Sequence, residues 1–144
     1  MTDNRYLFKA KTARIVDSFN NAEDGIWVKG YLRCDTGKWE ISQFEYDRAD
    51  YVWYEVDPST ICQCTGLKDK NGKLIWENDI VKDKHGNFYK AFWQNNYYQF
   101  SLSCVKADVF PIGAKWNLWS FKSFEIEVIG NIFDNSELLE SEEN

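Results

Sequence analysis

Asn71-Gly72 constrains the fold of this chain more than any other feature, because it is the strongest short-range signal of a tight β-hairpin. It lies in the stretch TGLKDKNGKLIWENDIVK, residues 65–82. A type I′ turn needs a positive φ at both central residues, which we predict for this pair. Glu77-Asn78-Asp79 predicts a second bend, with Asn78 left-handed, since Asn tolerates that conformation. The stretch therefore predicts two turns of a small antiparallel sheet.

Short runs of β-favouring residues, separated by turn residues, cover most of the chain. The 7 Trp, 8 Tyr and 10 Phe suit the pleated, half-buried surface of a sheet. We expect a mainly β fold with little helix, in which the C-terminal half forms a small curled antiparallel sheet or an SH3-like barrel. Further N-terminal strands would pack with it. The predicted strands cover residues 6–11, 26–33, 39–44, 51–56, 73–76, 80–83, 88–93, 97–102 and 124–133.

Three segments predict turns or single turns of helix. Asp57-Pro58-Ser59 fits a turn, or a helix start with Pro at its first position. Trp116 and Trp119 lie three residues apart, which fits one helical turn. Leu138-Leu139 predicts another single turn in the tail.

Length and charge limit the architecture and the classes of function. A chain of 144 residues forms one domain, 1–144, or two lobes: N-terminal strands in 1–60 and a barrel-like lobe in 61–140. The net charge is −6. Non-specific binding to duplex DNA needs a broad basic face, so this charge balance argues against it.

The start of the chain and its hydropathy predict a cytoplasmic protein. The residues after Met1 are polar and charged, without the apolar segment of a signal peptide. No apolar run approaches 18 residues, so we expect no membrane association. The four cysteines would stay reduced in that compartment.

The cysteines are few and irregularly spaced. Cys62 and Cys64 point to the same side of a strand. Together with Cys34 and Cys104 they make four cysteines, the number of ligands in a Cys₄ zinc site. Structural zinc sites use two closely spaced pairs, however, whereas this chain has one Cys-x-Cys and two isolated cysteines. We therefore predict reduced core thiols, no metal and no cofactor.

The remaining candidates for catalysis have simpler structural interpretations. His85 is the only histidine and sits beside Gly86-Asn87 in a predicted turn, so a surface position is expected. Glu77 and Asp79 lie two apart, as in acid–base pairs or Mg²⁺ sites. Turn carboxylates also accept hydrogen bonds from nearby backbone N–H groups. We assign a structural turn role to Asn71, Gly72, Glu77, Asn78 and Asp79, and no catalytic residue.

A lysine and aromatic strip within residues 68–98 is the predicted binding surface. Basic grooves with stacking aromatic rings hold single-stranded nucleic acid in small barrels. The alternative interpretation is a solvated lysine face over an aromatic core. The candidate binding residues are Lys68, Lys70, Lys73, Trp76, Lys82, Lys84, Tyr89, Trp93 and Tyr97.

Three aromatic doublets predict aromatic rings on the surface. They are Phe88-Tyr89, Phe92-Trp93 and Tyr97-Tyr98. Neighbouring residues of a strand point to opposite faces, so a core on one face leaves rings on the other. Exposed aromatic patches mark interfaces, and self-association would account for the surplus.

Four segments together resemble the YopX family of phage and prophage proteins. They are YLFKAK near the start, GIWVKGYL, DPSTICQCTGLKDKNGKLIWENDIVK, and EIEVIGNIFDNSELL near the end. Asn78 stands where that family usually carries Gly, which fits the left-handed turn. Cys62 and Cys64 stand where the family more often has Gly and an aromatic residue, which argues against a metal role.

The resemblance implies a small, β-rich, phage-encoded protein in the cytoplasm of a bacterial host, and implies no activity. We therefore expect a non-enzymatic binding or assembly module that self-associates and acts on a host or phage protein. The alternative is a nucleic-acid accessory protein that uses the strip at residues 68–98. A metal-dependent hydrolase using Glu77 and Asp79 ranks last, because no second cluster of catalytic residue types is present.

Overall fold

The computed structural model describes residues 4–13, 15–16, 22–23, 25–120 and 125–139. They form thirteen short strands and several 3₁₀ turns, and the chain divides into two compact units between Cys64 and Thr65. The strands are β1 Phe8–Lys11, β2 Ile15–Val16, β3 Ala22–Glu23, β4 Trp27–Asp35, β5 Lys38–Glu45, β6 Asp50–Glu55, β7 Cys62–Lys68, β8 Leu74–Trp76, β9 Asp79–Asp83, β10 Phe88–Gln94, β11 Gln99–Lys106, β12 Lys115–Asn117 and β13 Ile126–Asn131. The 3₁₀ turns are Asn4–Tyr6, Pro58–Thr60, Asn95–Tyr97, Leu118–Ser120 and Ser136–Leu139.

The first unit is an antiparallel sheet with the strand order β6-β5-β4-β1, followed by the first residues of β7. Its buried core consists of Ala10, Val28, Ile41 and Val56. These side chains alternate with outward residues along β1, β4 and β5, as expected for strands with a side-chain period of two. At the centre of the sheet one face is therefore apolar and buried, and the other face carries polar and aromatic side chains.

Gly30 marks the point where β4 and β5 stop pairing. A Cβ atom on Gly30 would lie 1.7 Å from the carbonyl oxygen of Ser42, so only glycine fits there. The ladder runs from Asp35 opposite Lys38 to Tyr31 opposite Ser42. Beyond Gly30 the side-chain Oε1 of Gln43 accepts the hydrogen bond of the Lys29 N–H instead, at 2.9 Å.

The second unit is a five-stranded antiparallel sheet with the order β12-β11-β10-β9-β13. Bulges interrupt the register between Phe88 and Tyr89 and between Val128 and Gly130, and such bulges increase twist. The sheet is open, so the curled sheet is the arrangement observed and the SH3-like barrel is not. Its core consists of Ile75, Val81, Tyr89, Ala91, Leu102, Cys104, Leu118 and Ile126.

The mainly β fold class is confirmed, and most predicted strands lie within two residues of the observed ones. Asp57 caps the turn Pro58–Thr60 by accepting from the Ser59 N–H at 3.0 Å, which confirms the helix-start interpretation. Trp116 lies in β12 and only Trp119 lies in a 3₁₀ turn, so a single helical turn holding both was wrong. The predicted single turn around Leu138-Leu139 is a 3₁₀ turn.

The turn at Asn71-Gly72 differs from the predicted type I′ turn. Only Gly72 of this pair has a positive φ, of 79°. The buried carboxylate of Asp69 determines the conformation instead: its Oδ1 accepts from the N–H groups of Asn71 and Lys73, each at 2.9 Å. Asp side chains stabilise turns in this way. The signal for a hairpin was right, and the turn type was wrong.

The second bend has the predicted conformation, since Asn78 has a φ of 72°. Its N–H donates to the carbonyl oxygen of Ala91 at 2.7 Å, and its own carbonyl accepts from the Ile132 N–H at 3.1 Å. Asp79 is buried, and its Oδ2 accepts from the Trp76 N–H at 2.9 Å. The bend therefore connects β9 to its neighbours.

Substitutions at Asn78 test the left-handed bend. We expect Asn78→Gly to change the free energy of unfolding by less than about 1 kcal/mol, because glycine adopts this φ freely. Asn78→Val should cost about 2 kcal/mol, because a β-branched residue is strained there. Urea denaturation of both variants measures the difference, and equal stabilities would contradict the account.

Candidate functional site

The structure separates the predicted strip at residues 68–98 into core and surface residues. Trp76 and Tyr89 are buried, so their rings pack in the interior and do not lie on a binding surface. Lys82 is half-buried, and the other members are exposed: Lys68, Lys70, Lys73, Lys84, Trp93 and Tyr97. The interpretation of an aromatic core beneath solvated lysines therefore fits Trp76 and Tyr89.

The exposed members do not lie together. The hairpin holding Lys70 contacts β13, since the Lys70 N–H donates to the carbonyl oxygen of Ile126, and Ile126 pairs with Asp83 at the end of β9. Lys84 follows directly in the β9–β10 turn. Trp93 lies five residues beyond Phe88, at the far end of β10, which places it roughly 17 Å away along the strand. The lysines thus collect at one end of the sheet and the exposed rings at the other.

The doublets are only partly as predicted. Tyr89 is buried and Phe88 half-exposed, with the Lys106 Nζ 5.0 Å from its ring centroid. Trp93 is partly exposed and packs edge-on against Phe100 at a centroid distance of 5.1 Å. Tyr97 ends a 3₁₀ turn and Tyr98 follows it in the left-handed conformation; both are exposed, and they do not point to opposite faces of a strand.

The cysteines and the histidine differ in burial. Cys62, Cys64 and Cys104 are buried, as predicted for core thiols, whereas Cys34 is exposed. His85 is exposed, and its backbone N–H donates to Asp83. In the part of the chain that the structure describes, no three His, Cys, Asp or Glu residues group as metal ligands.

Asp83 is bound to its own turn in the same manner as Asp69. Its Oδ1 accepts from the N–H groups of His85 and Asn87, and its Oδ2 accepts from the Asn87 amide and the Tyr89 hydroxyl at 2.8 Å. Burial alone would raise the pKa of Asp83, but these donors outweigh it and lower the pKa. Burial and the Asp83 bond raise the pKa of Tyr89 far above its ordinary value. This carboxylate stabilises the β9–β10 turn.

Three aromatic rings at the tip of the β5–β6 hairpin form a cluster, here called the aromatic triad: Phe44, Tyr46 and Tyr51. The Phe44 ring lies edge-on to both others, with centroid distances of 4.9 Å to Tyr46 and 5.1 Å to Tyr51. Their exposed fractions are 37%, 88% and 58%. Exposed aromatic clusters of this kind are enriched at protein interfaces.

Below the tip, the sheet of the first unit fixes the triad. Phe44 and Tyr51 are directly paired residues of β5 and β6. On the opposite face, the Tyr54 hydroxyl donates to Glu45 Oε1 at 2.7 Å, and the Gln43 amide donates to the same oxygen. These bonds hold the end of the hairpin, so the three rings are presented on a formed scaffold.

A second feature of the first unit was missed at the level of the sequence. Lys9 and Lys11 on β1 pair with Lys29 and Trp27 on β4, so all four side chains share the outward face. Tyr31 and Trp53 share it too, since each pairs with Ser42 on β5. We call the outward residues Lys9, Lys11, Trp27, Lys29, Tyr31, Arg33 and Trp53 the basic–aromatic patch.

Cation–π contacts organise this patch. The Arg33 Cζ lies 3.7 Å from the Trp53 ring centroid, and the Nζ atoms of Lys9 and Lys11 lie 4.7 and 5.6 Å from that of Trp27. The signal was present in the sequence, because residues 27, 29, 31 and 33 alternate Trp, Lys, Tyr and Arg. The net charge of −6 gave no sign of it, because that sum covers the whole chain and not one face of a sheet.

No helix in the described ranges is long and apolar enough to cross a membrane. A family model described as YopX protein matches residues 18–140, which confirms the resemblance drawn from the four sequence segments. No curated protein matches the sequence.

Proposed function

Because this chain belongs to the YopX family, we propose that it is a non-enzymatic binding and assembly module encoded by a phage or prophage. It self-associates, and it acts on a host or phage protein in the bacterial cytoplasm. The observation that carries this proposal is the aromatic triad, three clustered and exposed rings on a formed hairpin. Burying such rings in a contact removes a large apolar area from water.

The surroundings of the triad favour contact with a second copy. The hairpin tip carries Asp47 and Asp50 beside Arg48, so both charge signs are present within four residues. In an isologous dimer the same patch faces itself, and Arg48 of one copy can then lie opposite an acid of the other. A patch of one charge sign would repel its own copy.

The carboxylates of the second unit support a non-enzymatic role. Asp69, Asp79 and Asp83 each accept hydrogen bonds from backbone N–H groups of their own turns. Glu77 is half-buried at the bend of Asn78. These interactions support a structural role for the turn carboxylates, and they occupy oxygens that acid–base or Mg²⁺ chemistry would use.

Sedimentation equilibrium tests the self-association. We expect the unaltered chain at about 50 μM to sediment above its monomer mass of 17.0 kDa. The triple variant Phe44→Ser, Tyr46→Ser, Tyr51→Ser should sediment as a monomer, because it loses the apolar contact and keeps the charges. Tyr97→Ser with Tyr98→Ser is the matched control, since it removes exposed rings elsewhere. An unaltered chain that stays monomeric at that concentration would contradict the proposed assembly.

A further inference from the structure

We propose that the basic–aromatic patch of the first unit binds single-stranded nucleic acid. This patch shares no residue with the strip at residues 68–98 or with the aromatic triad, and Phe44 and Tyr51 of the triad lie further along the same outward face. It combines lysine and arginine side chains with exposed aromatic rings on one face of a sheet. Proteins that bind single strands use this combination, in which the cations contact phosphates and the rings stack on bases. The inference goes beyond the proposed assembly role and does not depend on it.

The charge of the face is opposite to that of the chain. The outward positions of β1, β4, β5 and β6 carry five basic residues and three acidic residues, a formal charge of +2, on a chain of net charge −6. The basic residues are Lys9, Lys11, Lys29, Arg33 and Lys38, and the acidic residues are Asp35, Glu40 and Glu55. A polyanion approaching the first unit is therefore attracted to this face although the whole protein is acidic.

Among the outward positions of these four strands, the acidic residues lie away from Lys9 and Lys29, the most basic corner. Glu40 pairs with Arg33, at 3.0 Å between Oε1 and Nε, and Asp35 pairs across the hairpin with Lys38. Lys9 and Lys29 lie directly opposite each other on β1 and β4. Two adjacent lysines on neighbouring strands, about 5 Å apart, suit successive contacts to a phosphate backbone.

The rings give the patch its preference for unpaired bases. Tyr31 is 57% exposed and Trp53 39%, and both are paired with Ser42, from β4 on one side and from β6 on the other. Base stacking needs an accessible ring face, and bases inside a duplex are already stacked on each other. The Arg33 guanidinium lies over the Trp53 ring, so it adds a flat, positively charged group on which a base can stack.

The size of the patch fits a short segment. Three strand spacings separate β1 from β6, roughly 15 Å, and residues 27 to 33 span roughly 20 Å along β4. Single-strand sites of other small β folds begin at about four nucleotides. An acidic peptide is the competing ligand, but it would use the lysines and leave the exposed rings without a role.

Fluorescence anisotropy with a labelled 12-nucleotide oligo-dT tests the proposal on the full chain. We expect binding at 50 mM NaCl that weakens about 7- to 50-fold at 200 mM, as two to four phosphate contacts require. Lys9→Glu with Lys29→Glu should weaken binding at least ten-fold and reduce the salt dependence. Tyr31→Ser should weaken it about ten-fold without altering the salt dependence, because it removes stacking only.

The control variant is Lys73→Glu with Lys84→Glu, which makes the same change in net charge on exposed lysines of the second unit. We expect its affinity to stay within two-fold of the unaltered chain. A circular dichroism spectrum shows whether each variant is folded. If the variant Lys9→Glu with Lys29→Glu unfolds, the result for Tyr31→Ser decides the test.

Four outcomes would overturn the proposal. They are no binding at 50 mM NaCl, an equal loss in the control variant, an unchanged affinity of Tyr31→Ser, and displacement of oligo-dT by an equal concentration of poly-glutamate. A blunt 12-base-pair duplex that binds as tightly as the single strand would likewise exclude stacking as the source of affinity.

Discussion

Gly30→Ala is expected to destabilise the first unit by about 3 kcal/mol or more, the upper end of what overpacking costs. The added Cβ would lie 1.7 Å from the carbonyl oxygen of Ser42, and that oxygen belongs to backbone, which cannot rotate away as a flexible side chain can. Relief requires β4 and β5 to separate where their ladder ends. Hydrogen exchange of the β4 and β5 amides measures the loss, and we expect their protection to fall at least a hundred-fold.

Gly37→Ala is the matched control for this substitution. Gly37 has a φ of 81° with open space around its Cβ position, so the added methyl group meets only conformational strain. We expect a cost of about 1 kcal/mol there. If Gly30→Ala costs no more than Gly37→Ala, the close approach of the two strands at Ser42 is refuted.

Asp69→Ala is expected to have the second-largest effect, about 3 kcal/mol on the second unit. The Asp69 carboxylate accepts from the N–H groups of Asn71, Lys73 and Val128, each at 2.9 Å. The first two are in its own hairpin and the third is on β13, 59 residues away. Alanine removes all three bonds and leaves partly buried donors without an acceptor, which is more costly than losing one neutral bond. Chemical denaturation at pH 7 measures the change.

The pH dependence of stability separates this role from simple loss of packing. Burial alone would raise the pKa of Asp69, but the N–H of Val128, the N–H groups of Lys73 and Asn71 and the Lys73 charge outweigh burial and lower it. A lowered folded-state pKa contributes stability above the ordinary value of about 3.9, and this contribution is lost as the pH falls through the folded-state pKa. As the pH falls below about 4, the free energy of unfolding of Asp69→Ala should therefore decrease less than that of the unaltered chain. Asp108→Ala, at an exposed position, is the control and should leave the stability at pH 7 unchanged.

Local patterns predicted the strands and the bend at Asn78, because alternation, Asn and Gly act within a few residues. The carboxylate of Asp69 escaped prediction because its third partner, Val128, is far along the chain. The turn at Asn71-Gly72 received the wrong type for a different reason: the dipeptide alone favours type I′, but the carboxylate of Asp69, two residues before Asn71, stabilises another conformation.

The candidate surfaces were harder to predict than the strands. Trp76 and Tyr89 resembled members of a binding strip because sequence proximity to lysines does not show which face a ring occupies, and both are buried. The basic–aromatic patch draws residues from β1, β4 and β6, so its charge becomes visible only when strand order and register are known. The triad joins residues on both sides of one hairpin, so the contact of its rings becomes visible only when the pairing of β5 with β6 is known.

The most direct test of the binding-module account is affinity capture from bacterial lysate with nuclease present, read by mass spectrometry. The unaltered chain and the triad variant Phe44→Ser, Tyr46→Ser, Tyr51→Ser are compared, with Tyr97→Ser, Tyr98→Ser as the control. We expect a specific protein to be retained by the unaltered chain and by the control, and to be lost from the triad variant. Identical capture by all three, or none by the unaltered chain, would contradict it.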